Sequence, residues 1–223
     1  MRDALAERIA TGQWKPGTSI PNEIDLARQF GVTVATMRKA LDLLEDEHLI
    51  AHRQDRGTFV NDPTTDDLVN HFSKVCGSEG KPLVGRAETT SLTEGKANKA
   101  ECLRLQLDER DPVWRISRTR SYDDQVFMRE DVSLPAKLFP SMDDGASYRI
   151  VVLAQQHGVL LGAAQQCMSI GAASREAAED LDIVQGSPVI VLDRIVHTNQ
   201  GQPAEWRVGQ CRIAGSYYLA SMR

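Results

Sequence analysis

Two short amphipathic stretches meet at Gly31, and that junction limits the fold more than any other feature of the chain. In "EIDLARQF", residues 23 to 30, Leu26 and Phe30 lie four apart and form one apolar stripe. Asn22 is a good helix N-cap, and Glu23 and Asp25 place negative charge in the first turn. Gly31 stands where helices commonly stop. After a short turn Thr33 can cap another helix, in which Met37, Ala40, Leu41 and Leu44 fall at i, i+3, i+4 and i+7. Two helices joined through a glycine turn outline a helix-turn-helix. Ahead of them, Leu5, Ala6 and Ile9 mark a first helix, broken by Pro16, Gly17 and Pro21. Behind them, "LIAHRQDRGTFV" has extended residues on both sides of "DRG", and Gly57 permits a tight turn. Three helices and a hairpin make a winged helix-turn-helix; the same pattern also fits a small helical domain that binds nothing.

Charge does not decide between these readings. Net charge is −5 over 223 residues. The first 62 residues hold eight Lys/Arg against ten Asp/Glu, a balance of −2. That balance argues against indiscriminate polyanion binding, so any contact with DNA must rest on where charge is placed. Hydrophobic residues make up 41%, enough for a packed core. Apolar runs such as "VIVL" near 190 are too short to span a bilayer, and "MRDALAERIATGQ" has no signal core, so a cytoplasmic protein is expected. Cys76, Cys102, Cys167 and Cys211 form no C-x-x-C pair and the five histidines are scattered, so no metal or other cofactor is expected.

The polar segment "NDPTTDD", residues 61 to 67, separates the two halves. The expected organisation is a DNA-binding domain over 1–61, a linker over 62–67 and a second domain over 68–223. This second part contains a weak repeat. Pro112-Val113 and Pro188-Val189 are 76 residues apart, and at the same offset Leu105 matches Leu181 and Arg118 matches Arg194. Each half reads helix, strand, tight turn, strand, with "NKAECLRL" and "SREAAEDL" as helices, Ser174 capping the second, and "DD" and "NQG" as turns. An antiparallel sheet with helices packed on it follows, giving an α+β chain.

The stretch from Ile9 to Val60 resembles the DNA-binding domain of GntR-type bacterial transcriptional regulators. It follows, in register, the pattern I-x-x-G-x-x-x-P-G-x-x-L-P-S-E-x-x-L-A, then G-V-S-R-x-T-V-R-x-A-L-x-x-L, then G-x-G-T-F-V. The later part, most of 83 to 220, is more loosely similar to the UTRA ligand-sensing domain of the HutC-like subfamily. The signs are "RISRTR", "DVSLPAKLFP", "SYRIVVLAQQHG" and "GQPAEWRVGQCRIAGSYYL". The resemblance implies a chorismate-lyase-like sheet, an effector pocket and a homodimer formed through this domain; it does not imply lyase activity. On the DNA side it points to Thr33, Thr36, Arg38, Lys39, Arg56, Gly57 and Thr58. Arg38 can give a bidentate pair to guanine, Thr36 and the helix N-terminus can meet phosphate, and Arg56 can reach phosphate or a minor groove. Solvated surface charge is the alternative for each. The chain departs from the pattern where Ile24 and Val34 stand for arginines and Asp55 for a wing glycine.

Arg118 and Arg120 are two apart on an expected strand and share a face with Trp114 and Ile116. That face runs from apolar to cationic, as the wall of an anion pocket would; an edge strand with solvated arginines is the alternative. Ser147 is expected to cap a helix over "YRIVVLAQQHG" that ends at Gly158, offering an anion site or only an ordinary cap. The resemblance to sugar-phosphate-sensing members places Arg118, Arg120 and Ser147 on a phosphate, and Glu130 and Glu205 at acidic positions that can accept hydroxyl or amine protons. Glu205 could instead pair with Arg207, and Tyr148 could be pocket wall or core. The reading that follows is a dimeric repressor, not an enzyme, that leaves double-stranded operator DNA when a small anionic or polar metabolite binds. The alternatives are a sensor with a weakened DNA-binding head and an enzyme on a chorismate-lyase-like fold.

Overall fold

The computed structural model describes residues 1–46, 49–53, 56–61, 75–77, 83, 86–142, 148–212 and 216–219. The head consists of α1 (Arg2–Ala10), α2 (Glu23–Phe30), α3 (Val34–Asp46) and a hairpin of β1 (Ile50–Arg53) and β2 (Gly57–Val60). Each boundary has a local cause. The Asn22 side chain accepts from the Asp25 amide at 2.9 Å and caps α2. Gly31 ends α2 with φ at 66°, a left-handed conformation that costs glycine little. The Thr33 hydroxyl accepts from the Thr36 amide at 3.2 Å at the start of α3. Leu5, Ala6, Ile9, Leu26, Ala27, Met37, Ala40 and Leu44 then bury one face of each helix against Ile50 and Val60 of the hairpin. Residues before α2 also join the wing: the Ile20 amide donates to the Thr58 carbonyl and the Val60 amide to the Thr18 carbonyl, each at 2.9 Å. The expected linker, 62–67, lies outside the described residues.

The second part is built on one antiparallel six-stranded sheet in the order β4-β5-β6-β9-β8-β7. Its strands are β4 (Arg86–Lys96), β5 (Pro112–Tyr122), β6 (Gln125–Pro135), β7 (Leu161–Ala172), β8 (Pro188–Thr198) and β9 (Pro203–Arg212). Two of its helices are α4 (Lys99–Leu105) and α6 (Arg175–Leu181). The 76-residue offset is visible in the coordinates. Asn98 caps α4 and Ser174 caps α6, and both helices end on left-handed non-glycine residues, Gln106 (φ 55°) and Asp182 (φ 51°). The strand order is therefore that of two similar units meeting where β6 pairs with β9. The expected turns are also present. Asp123 and Asp124 both have positive φ, 48° and 60°, which matches the right-handed twist of a tight hairpin.

Alternation along the strands divides the sheet into two faces. On one, α4 and α6 are tied down by pairs reaching from helix to strand: Glu101 with Arg115, Arg104 with Asp193, and Asp180 with Arg129. On the other, Ile116, Val132, Leu134 and Ala204 pack against Phe139, Tyr148, Ile150 and Leu153. Ile150 and Leu153 belong to α5 (Ile150–Gln156), which is shorter than the expected helix over 148–158. Arg149 occupies its N-cap position with extended backbone and no side-chain cap. The reason is a competing partner: the Tyr148 carbonyl accepts from Arg118 Nη1 at 2.9 Å, and its ring is buried in the core. Ser147, expected to cap this helix, lies outside the described residues, and the helix begins three positions after it. A short strand, β10 (Ser216–Tyr218), pairs antiparallel with β3 (Val75–Gly77) as a separate ribbon, whose Val75 and Tyr218 pack against Met128 and Leu192 of the main sheet.

Candidate functional site

In the head, the residues named for DNA gather around the start of α3 and the tip of the wing. Thr33, Thr36, Arg38 and Lys39 are exposed, as are Arg56 and Gly57. The Thr33 and Thr36 hydroxyls bond to each other at 2.9 Å, so neither points outward alone. Thr58 is half-buried, with its hydroxyl 3.3 Å from His52 Nδ1. Gly57 has φ at 95°, which a side chain would strain, and it turns the chain between Arg53 and Thr58. Arg38 donates from Nε and Nη2 to Glu23, at 2.9 and 2.6 Å. Val34 packs partly against the head's core, whereas Ile24 is 56% exposed. Asp55 lies outside the described residues.

In the sheet, Arg118 and Glu130 are cross-strand partners on β5 and β6. Arg118 Nε donates to Glu130 Oε2 at 2.6 Å, and Arg120 Nε donates to the same oxygen at 2.9 Å. Arg207 on β9 approaches the other oxygen, Oε1, at 2.9 Å. On β8, Arg194 Nη2 donates to Glu205 Oε1 at 2.8 Å. Arg207 lies 3.9 Å from that same oxygen, so the expected Glu205–Arg207 contact exists but is the weaker one. These side chains come from alternate positions on four adjacent strands, so all face the side that carries Tyr148 and α5. The solvated-edge alternative for Arg118 and Arg120 does not hold: β5 is an inner strand and the two side chains are 4% and 11% exposed.

Among the described residues, four arginines face two glutamates in this buried layer, a formal excess of two positive charges. Burial pushes the Glu130 carboxyl up, but Arg118, Arg120 and Arg207 pull it further the other way, well below the usual carboxylate range. Glu205 is lowered by the same competition, with Arg194 and Arg207 outweighing burial. Burial and the neighbouring Arg194 push Arg207 down to about 9 despite both glutamates. Arg118 differs: burial pushes it down, but Glu130 and Glu205 outweigh that and hold it charged, so Arg207 is the cation that an added anion would relieve. Glu205 Oε2 is buried and has no hydrogen-bond partner among the described residues, so an incoming donor would also be satisfied there. Arg194 and Arg207 were not named among the expected site residues. Both left a trace: Arg194 is the repeat counterpart of Arg118, and Arg207 alternates with Glu205 along one strand.

The UTRA domain model matches residues 83–214, and the bacterial regulatory protein gntR family model matches residues 1–60. The chain belongs to the GntR regulators that carry a UTRA domain. It is 29% identical over 211 residues to the uncharacterized HTH-type transcriptional regulator YurK of Bacillus subtilis, covering 91% of this chain and 86% of that one. It is 24% identical to the HTH-type transcriptional repressor NagR of the same organism, covering 91% and 85%. The crystal structure of the possible transcriptional regulator YydK from B. subtilis matches all of this chain and 97% of its own, with a TM-score of 0.60 and 18% identity.

Membership fixes the division of labour in this GntR chain. It is a ligand-responsive transcriptional regulator and not an enzyme: the head is the DNA-binding part, and the six-stranded sheet with its arginine layer belongs to the ligand-sensing part. Among the described residues, no helix is long and apolar enough to cross a membrane.

Proposed function

We propose that this GntR chain is a cytoplasmic, homodimeric repressor that lets go of its operator when a small anion enters the arginine layer of the UTRA sheet. The observation that carries this reading is the convergence of four buried arginines on Glu130 and Glu205 among the described residues. Arg118, Arg120, Glu130, Tyr148 and Glu205 would line the effector site with Arg194 and Arg207, and Ser147 would lie next to Tyr148. A carboxylate or phosphate would meet the arginines, and a hydroxyl or amine on the same molecule would donate to Glu205 Oε2. The head, 1–61, would be joined to the sensing and dimerising part, 68–223, through 62–67. Each subunit of the dimer would place the start of α3 in a major groove, with Thr33, Thr36, Arg38 and Lys39 facing the duplex and Arg56, Gly57 and Thr58 on its backbone. Two such heads require a roughly palindromic operator.

A screen of carboxylates, amino-acid breakdown products and sugar phosphates by thermal unfolding tests the site. A true effector raises the unfolding temperature of the wild type and loses that effect in Arg118→Ala. An undiminished shift in that variant contradicts the arginine layer as the site. A second reading, a sensor whose head grips DNA weakly, is favoured by one observation: Val34 and Ile24 offer apolar side chains where a charged contact would otherwise form. A salt-dependent footprint on DNA rules it out, and absence of binding at low salt supports it.

A further inference from the structure

We propose that Glu23 is a positioning residue for sequence readout: its carboxylate holds the Arg38 guanidinium by one edge so that the other edge meets a base. This rests on the reading that the start of α3 faces the major groove. The two residues are 15 apart and join the two helices of the helix-turn-helix, since Glu23 opens α2 and Arg38 lies in α3. The pair is two-pronged. Nε donates to Oε2 at 2.9 Å and Nη2 to Oε1 at 2.6 Å, the parallel geometry that fixes the plane of a guanidinium as well as its position. Glu23 is the better held partner, with its side chain 31% exposed against 62% for Arg38. The carboxylate, being less exposed and at the first position of α2, is the side of the pair with less room to move. Because the contact uses the Nε–Nη2 side, the terminal Nη1–Nη2 edge faces away from Glu23. That edge presents two parallel N–H groups, the arrangement that guanine O6 and N7 accept.

The same contact could be read as a lock that withholds Arg38 from DNA. The two readings differ in what the loss of Glu23 does. A lock, once removed, leaves binding as tight or tighter. A positioning group, once removed, leaves a long flexible side chain that must be ordered on binding, and discrimination falls. This matters more here than it would in a head with three arginines. Val34 and Ile24 cannot grip a guanine, so Arg38 has to carry most of the polar readout.

The test uses the full chain and a duplex library with a randomised core. Wild-type protein selects a duplex, and its Kd is compared with that for a duplex in which one guanine pair at a time is replaced. Arg38→Ala identifies the guanine that Arg38 reads, as the position where discrimination disappears. In Glu23→Ala, discrimination at that position is expected to fall about fivefold or more, with other positions unchanged. Glu23→Gln, which keeps an acceptor oxygen, is expected to fall between Glu23→Ala and wild type. A ratio of affinities for two duplexes does not depend on the fraction of protein that is folded, so loss of stability cannot mimic the result. Unchanged discrimination or tighter binding in Glu23→Ala overturns the positioning role alone. Discrimination that survives Arg38→Ala, or a wild type that selects no duplex, overturns the α3 reading and the positioning role with it.

Discussion

Glu130 is buried and accepts from three arginines at once, more than any other carboxylate among the described residues. Removing one partner of a buried ion pair leaves the others uncompensated, so Glu130→Ala is expected to cost about 3–5 kcal/mol in chemical denaturation. Its carboxyl is depressed well below its ordinary 4.5 in the folded state, and that of Glu205 is lowered too. The unfolded chain therefore takes up protons first as pH falls. The stability these groups contribute is fully present above about 4.5 and is lost as pH drops through their folded values. Unfolding temperature measured from pH 7 to pH 3 should show this loss, and the loss should be shallower in Glu130→Gln. Much of this cluster is legible in the chain: the i, i+2 spacing of Arg118 and Arg120 already puts both on one strand face. What the spacing leaves out is that β9 and β8 come alongside, because strand order is a long-range property. Arg207 and Arg194 enter the site only through that order.

Helix ends explain why some elements could be read and one could not. The caps of α2, α4 and α6 use side chains within three residues of the amides they satisfy, so local sequence specifies them. Asn98 accepts from both the Ala100 and Glu101 amides, while Glu101 returns a bond to the Asn98 amide. Asn98→Ala is therefore expected to cost about 1 kcal/mol, seen as a lower denaturant midpoint at an unchanged slope. The start of α5 is different. Its first turn is set by Arg118, 30 residues earlier, drawing on the Tyr148 carbonyl. No local pattern encodes that contact, which is why the sequence overextends the helix. The repeat is the opposite case, since a fixed offset of 76 is local information given twice.

The whole molecule joins an acidic DNA-binding head to a sensing sheet in which, among the described residues, four buried arginines converge on two glutamates. An effector acts on DNA binding only through a difference in its affinity for the DNA-competent and DNA-released arrangements, and the coupling is reciprocal. Operator DNA should therefore weaken effector binding by the same factor that the effector weakens the operator. Net charge of −5 adds a further expectation. Binding should be confined to a selected sequence, and affinity for unrelated duplex should be weak even at low salt. The measurement that tests the account most directly is the Kd of the full chain for its selected duplex, by fluorescence anisotropy, with and without a saturating anion from the thermal screen. Wild type is expected to lose affinity at least about fivefold when the anion is added, and Arg118→Ala to lose none. An anion that raises the unfolding temperature yet leaves the Kd unchanged, or that acts equally on Arg118→Ala, would contradict the account.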